Sequence, residues 1–377
     1  MNKGKFIGLL LLTILLLSAC KSYEIVEVPK DTVTEEQTAT ETLDTEQSTE
    51  EITQEEEPLV EETTDFELFN PDLTYGNSYN GPLYAAEMIL NSSNVSEEEL
   101  FTELDANGVN YVSLSIGTED NAMVKTAITN NPSRIIPISN PGFSKEEMRA
   151  SFTADTLPSS YEKAYNSAKS SLGTVKGLGH LDITQLGIAA TNSKIEDIYK
   201  FSNSHNLILI LQIGTGDSQR RALEEVLQDY PEMTILIHLN PDELQLNELE
   251  YTQLIEKYDN LYYEIDANDI LYSGNGGLIN EFKEEKPENA ITDFTKEFDN
   301  SYQAYVSNAH SRYENLIEVA PNKIVWGTSL GPEYTYKSEI YNRIIKATRL
   351  FILTLPEENR EDFAYKNALE IFGEGST

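Results

Sequence analysis

Cysteine is nearly absent from this 377-residue chain, with Cys20 the only one. No intramolecular disulfide can form, so any folded part must hold together by burial of its own core. Basic side chains are scarce too: 27 Lys and Arg stand against 64 Asp and Glu, a formal charge of −37. With no basic stripe, the chain has nothing to grip a phosphate backbone or an anionic lipid surface, which excludes nucleic acid as a partner. No hydrophobic run reaches the roughly 20 residues that span a bilayer; residues 6–17 fall short. A phosphate-cradling loop is also missing. The glycines of "YSGNGGL" (272–278) lack the strand-to-helix frame of the Walker and dinucleotide motifs. No short repeat of solenoid type recurs.

What the N-terminus does have is Lys3 and Lys5, then the apolar run, then Leu17-Ser18-Ala19-Cys20. A charged start and an apolar core of this length read as a secretory signal. Small residues directly before a lone cysteine resemble the bacterial lipobox. The resemblance implies cleavage after residues 1–19 and diacylglycerol on the Cys20 sulfur. Two acyl chains suffice for stable anchoring. The expected location is the cell membrane, facing outside the cytoplasm, with the membrane itself a partner through Cys20.

Residues 20–65 form the next segment. Stretches such as "TEEQTATETLDTEQSTEEITQEEEPLVEETT" are poor in aromatic residues and have no sustained period. They bury too little apolar surface to offset ordering entropy, so a disordered acidic tether is expected, extended by its own repulsion. Residues 21–65 hold 16 acidic and two basic side chains, a net −14; with Lys3 and Lys5 counted, −25 remains for residues 66–377.

From residue 66 onward a short apolar run followed by a helical pattern recurs, the mark of parallel βα units. The runs lie at 83–90, 109–116, 134–139, 175–182, 207–213, 234–239, 261–266 and 323–328. Amphipathic stretches lie between them, such as "SEEELFTELDANG" with Ser96 as N-cap and Gly108 as a stop. Eight alternations favour an α/β fold of the (β/α)8 TIM-barrel type over an open doubly wound sheet.

Four segments in order resemble the amidohydrolase-related family. They are "GLGHLDI…IEDIYKFSNSHNLILILQIGTG", "LQDYPEMTILIHL", "LIEVAPNKIVWGTSLG" and "DFAYKNALEIFG". The resemblance implies an amidohydrolase-like barrel whose strand ends hold one or two divalent metals that activate water for hydrolysis or assist decarboxylation. It also shows what has been replaced. The His-x-His of the first strand falls on Glu87 and Ile89, and the fifth-strand histidine falls on Gln212. The sixth-strand histidine is kept as His238, and the eighth-strand aspartate falls on Ser329. Ile89 ligates nothing, an amide is a feeble ligand, and a serine hydroxyl accepts no proton near neutral pH.

Glu87, His180, Asp182, His238, Glu264 and Asp266 all lie on expected strands, where alternation turns about half of them inward. Glu87 and His238 are the expected pair for a weak metal, with Asp182 and Ser329 as further ligand-binding candidates. Asp182 and Asp266 alternatively cap the loops that follow. His205 and His310 sit on helical stretches as surface or packing residues. Ser329 lacks a nucleophile-elbow sequence, which speaks against a Ser-His-Asp hydrolase.

The excursion at 272–305, with Tyr272, Phe282, Phe294, Phe298, Tyr302 and Tyr305, reads equally as a lid or as extra packing helices. The favoured expectation is a barrel that has lost metal-dependent hydrolysis, needs no cofactor, and binds a small molecule or protein at its mouth. The alternative is an active hydrolase with one zinc or manganese ion. A solute-presenting lipoprotein is the third reading, disfavoured because such proteins are two-lobed.

Overall fold

The computed structural model describes residues 78–89, 96–116, 122–273, 276–283, 285–328 and 333–374. The signal, Cys20, the tether and Ser329 lie outside the described residues. Eight strands run in sequence order: β1 (Leu83–Ile89), β2 (Val109–Ile116), β3 (Ile135–Ser139) and β4 (Gly177–Asp182). They continue as β5 (Ile208–Ile213), β6 (Ile235–Leu239), β7 (Leu261–Asp266) and β8 (Ile324–Gly327). Each overlies one of the eight expected runs, and neighbours pair in parallel from β1 to β8. The ring closes at Thr328, whose backbone N–H (2.9 Å) and hydroxyl (3.2 Å) both donate to the Glu87 carbonyl. This is a (β/α)8 barrel.

The strands read as nearly unbroken apolar runs because both faces are covered. On β5, Leu209, Leu211 and Ile213 pack outward under the helices, while Ile208 and Ile210 join Ile136, Leu236 and Val325 inside. Helix starts follow their sequence signals. Ser96 accepts from Glu99 N–H (3.2 Å) and donates its own N–H to the Glu99 carboxylate (2.9 Å), a capping box that opens the helix Glu97–Ala106.

The N-terminal end of the barrel is plugged. Tyr84 stacks on Tyr111 (5.6 Å) and on Phe372 (6.0 Å) of the closing helix Asn367–Phe372. Asn367, buried at that helix's start, donates to the carbonyls of Pro321 and Ile324 on either side of the turn into β8. Polar side chains therefore gather at the other end, where the strands terminate.

The 272–305 excursion resolves toward packing. Leu278–Glu281 makes one helical turn, and from Pro287 the chain enters a 33-residue helix, Pro287–Val319. Phe294, Phe298 and Tyr305 are buried; Phe294 stacks on Phe298 and Phe298 on Tyr302, with Lys346 3.9 Å above the Tyr302 ring. No helix among the described residues is long and apolar enough to cross a membrane.

Candidate functional site

Two irregularities turn the key side chains inward. On β1, Ala85 pairs with Val112 and Met88 with Leu114, so three residues span the distance of two on β2. On β4, Leu178 pairs with Leu209 and Leu181 with Leu211, the same surplus against β5. Each extra residue is a bulge, and it resets the alternation. Met88 and Leu181 thereby rejoin the outer core. Glu87 and His180 face the interior and meet there: His180 Nδ1 lies 3.3 Å from Glu87 Oε2. The other ring nitrogen, Nε2, lies 3.0 Å from Gln212 Oε1 on β5. Tyr161 steadies β4 by donating its hydroxyl to the His180 carbonyl (2.9 Å).

Across the mouth, His238 from β6 turns toward the end of β7. Its Nε2 lies 3.1 Å from Asp269 Oδ2 and 3.8 Å from Asp266 Oδ2. The two aspartates are locked by a capping box over the short helix Ala267–Ile270. Asp269 N–H donates to Asp266 Oδ1 (2.8 Å), and Asp266 N–H donates to Asp269 Oδ2 (3.2 Å). The rings of His180 and His238 are 6.5 Å apart, edge to face.

A further acidic residue, Glu264, stands on β7 two residues before Asp266. On β7 it shares a face with Asp266, and the register sets Glu264 beside Val325 and Asp266 beside Gly327. Its carboxylate reaches up to Gly327: a Cβ there would collide with it. The missing side chain on β8 is what gives Glu264 room.

The charge balance of this mouth is unusual. Glu87, Glu264, Asp266 and Asp269 are all buried. Among the described residues, Glu87 Oε1, Asp269 Oδ1 and both Glu264 oxygens have no hydrogen-bond partner. Glu87 and Asp269 keep a histidine on their other oxygen, at 3.3 and 3.1 Å, whereas Glu264 has a partner on neither. An unpaired carboxylate out of water costs several kcal/mol, so Glu264 must take up a proton or a cation.

The proton affinities respond accordingly. Burial, reinforced by the charge of Glu87, raises the Glu264 carboxyl well above its usual range. Burial and neighbouring Asp269 push Asp266 up to about 7. For His238, burial opposes the charged ring, but Asp269, Asp266 and Glu264 outweigh it and its pKa rises well above the ordinary value. For His180, burial is likewise outweighed by Glu87, and its pKa rises.

These residues fit a divalent metal better than the set expected from the sequence. His238, Asp266 and Asp269 each offer a ligand atom, all within 4.8 Å of one another. The expected partnership of Glu87 with His238 gives way to two separate pairings, because the β1 and β4 bulges face Glu87 with His180. Asp182 is occupied as a cap, accepting from Gln185 N–H at 2.9 Å. Gln212 serves as a hydrogen-bond partner of His180. Ser329 and Cys20 lie outside the described residues.

His205 stacks on Phe201 (4.2 Å) and His310 pairs with Glu314 (3.5 Å), both away from the mouth. Asp269 escaped sequence reasoning. Its signal was the Asp-x-x-Asp spacing just after an apolar run, a capping-box pattern.

No protein-family model matches the chain, and no curated protein matches its sequence. Several solved structures do match in three dimensions. A zinc-bound amidohydrolase from Burkholderia multivorans is 9% identical over 74% of this chain and 89% of its own, at a TM-score of 0.44. An Agrobacterium tumefaciens protein in its apo form is 11% identical over 80% and 98%, at 0.42. An amidohydrolase from Bifidobacterium longum subsp. infantis is 10% identical over 78% and 99%, at 0.39. The barrel assignment itself rests on the eight-strand sheet.

Proposed function

We propose that this protein is a lipid-anchored, extracytoplasmic barrel of amidohydrolase type that holds one divalent cation on His238, Asp266 and Asp269 and works as a hydrolase. The observation that carries this reading is the set of buried carboxylate oxygens, without partners among the described residues, around three converging ligand atoms. The residues at the positions read from the resemblance point to loss of metal chemistry; the buried carboxylates reverse that balance. A cation bound there would lower the pKa of a water and supply hydroxide near neutral pH.

The chain's own residues prepare the site around it. The Asp266–Asp269 capping box fixes both carboxylates before any ligand arrives, and preorganised charge of this kind needs no rearrangement during reaction. His180, held by Glu87 and facing Gln212, puts a second imidazole on the opposite wall, where it can orient a polar substrate group.

Chelated protein should be inactive against a panel of p-nitrophenyl esters and p-nitroanilides, and one equivalent of zinc or manganese should restore turnover on at least one of them. Equal activity with and without metal, or in Asp269→Asn, would refute the reading.

A second reading, a metal-free binding barrel, draws on the way both ring nitrogens of His180 are already engaged. Its ligand would carry a cationic group such as a primary ammonium, since carboxylates line the mouth.

A further inference from the structure

The mouth contains one acidic side chain that neither the capping box nor the histidines account for. Glu264 is 1% exposed, and neither of its oxygens has a hydrogen-bond partner among the described residues. A carboxylate placed only for packing would be replaced at no loss by an apolar residue of similar volume, since desolvating it is expensive. Its environment is arranged to aim it. The β7–β8 register sets Glu264 one layer below Asp266, yet its carboxylate rises to the level of Gly327, the partner of Asp266. That path exists only because position 327 has no Cβ. The Glu264 oxygens stand outside the 4.8 Å group of His238, Asp266 and Asp269, so Glu264 reaches a bound ion by a turn of its own side chain.

We propose that Glu264 completes the cation site as a fourth ligand, delivered along the end of β8 through the space that Gly327 leaves open. This rests on the metal-binding reading given above. The donor set then becomes three carboxylates and one imidazole, drawn from β6, β7 and the helix Ala267–Ile270. An oxygen-rich set of this kind suits manganese among the divalent ions. Gly327 is a positioning residue: it touches no cation and acts by letting the carboxylate through.

The experiment is calorimetric titration of the full metal-free chain with Mn²⁺, alongside melting curves in chelator and in Mn²⁺. Wild type should take up one equivalent. Glu264→Gln keeps the shape and removes the charge, and it should bind at least tenfold more weakly. Its metal-free melting temperature should rise, because the buried carboxylate is gone, while the gain on adding Mn²⁺ should shrink. Gly327→Ala leaves every carboxylate in the sequence but fills the path. The colliding atoms belong to the end of a flexible side chain, so the barrel should fold with Glu264 displaced and Mn²⁺ affinity reduced as in Glu264→Gln. Glu264→Gln binding Mn²⁺ within twofold of wild type, with binding lost in Asp269→Asn, would overturn the role of Glu264 and leave the three-ligand site standing. Absence of Mn²⁺ uptake by wild type, with zinc equally rejected, would overturn the metal reading and the fourth ligand with it.

Discussion

Metal-free protein should lose stability as pH rises from about 4 to about 7. Burial and the charge of Asp269 hold the Asp266 carboxyl at about 7, against an ordinary 3.8; His238 and the backbone N–H groups of Asp269 and Asn268 oppose this and do not win. Between those values the native chain keeps a proton that the unfolded chain has released, so stability falls as pH increases. About three pH units correspond to on the order of 4 kcal/mol. Glu264, also raised, adds in the same direction. His238 is raised well above 6.5, so its contribution is fully present below 6.5 and is lost as pH climbs through its folded value. The decline therefore continues above pH 7.

Urea unfolding in EDTA, followed by the fluorescence of the buried and single tryptophan Trp326, measures this at pH 5 and pH 8. Asp266→Asn should flatten the slope below pH 7. Stability that is constant or higher at pH 8 would refute the view that the metal-free mouth stores protons on its carboxyls.

Trp326→Ala removes a fully buried ring on the outer face of β8 and should cost about 3–5 kcal/mol, read by circular dichroism during denaturant unfolding. Arg349 donates to the carbonyls of Tyr79, Gly81 and Asn107, tying the start of β1 to the helix Ser338–Thr354. Arg349→Met strands those acceptors in a partly buried site and should cost about 2–3 kcal/mol, with a lowered Tm as the readout. Cys20→Ala should abolish incorporation of a labelled fatty acid; equal labelling would contradict the anchor.

The barrel was legible because strand periodicity is local. The runs at 109–116 and 261–266 coincide with β2 and β7 to the residue, since a strand covered on both faces is mostly apolar, its few polar residues here being Asn110, Ser113 and Ser115 on β2 and Glu264 and Asp266 on β7. The site was only half legible, and bulges are the reason. A one-residue surplus between Ala85 and Met88 decides whether Glu87 or Met88 faces inward, and nothing in "YAAEMI" marks it. The same holds for His180 on β4. His238, Glu264 and Asp266 lie on strands that keep strict alternation, so their shared face could be read directly. Asp269 sits on a helix of one turn, where only its spacing to Asp266 betrays it. The aromatic residues of 272–305 fit two outcomes by pattern alone, and packing of the long helix against Ser338–Thr354 selects one.

Metal stoichiometry of the full chain, purified after growth with zinc, manganese and iron and stripped of loosely held ions, tests whether the mouth is a cation site. About one tightly bound ion per chain, lost in His238→Ala and in Asp269→Asn, is the expected result. No ion at meaningful stoichiometry under any of the three supplements would contradict it and leave a mouth that meets its ligands without metal.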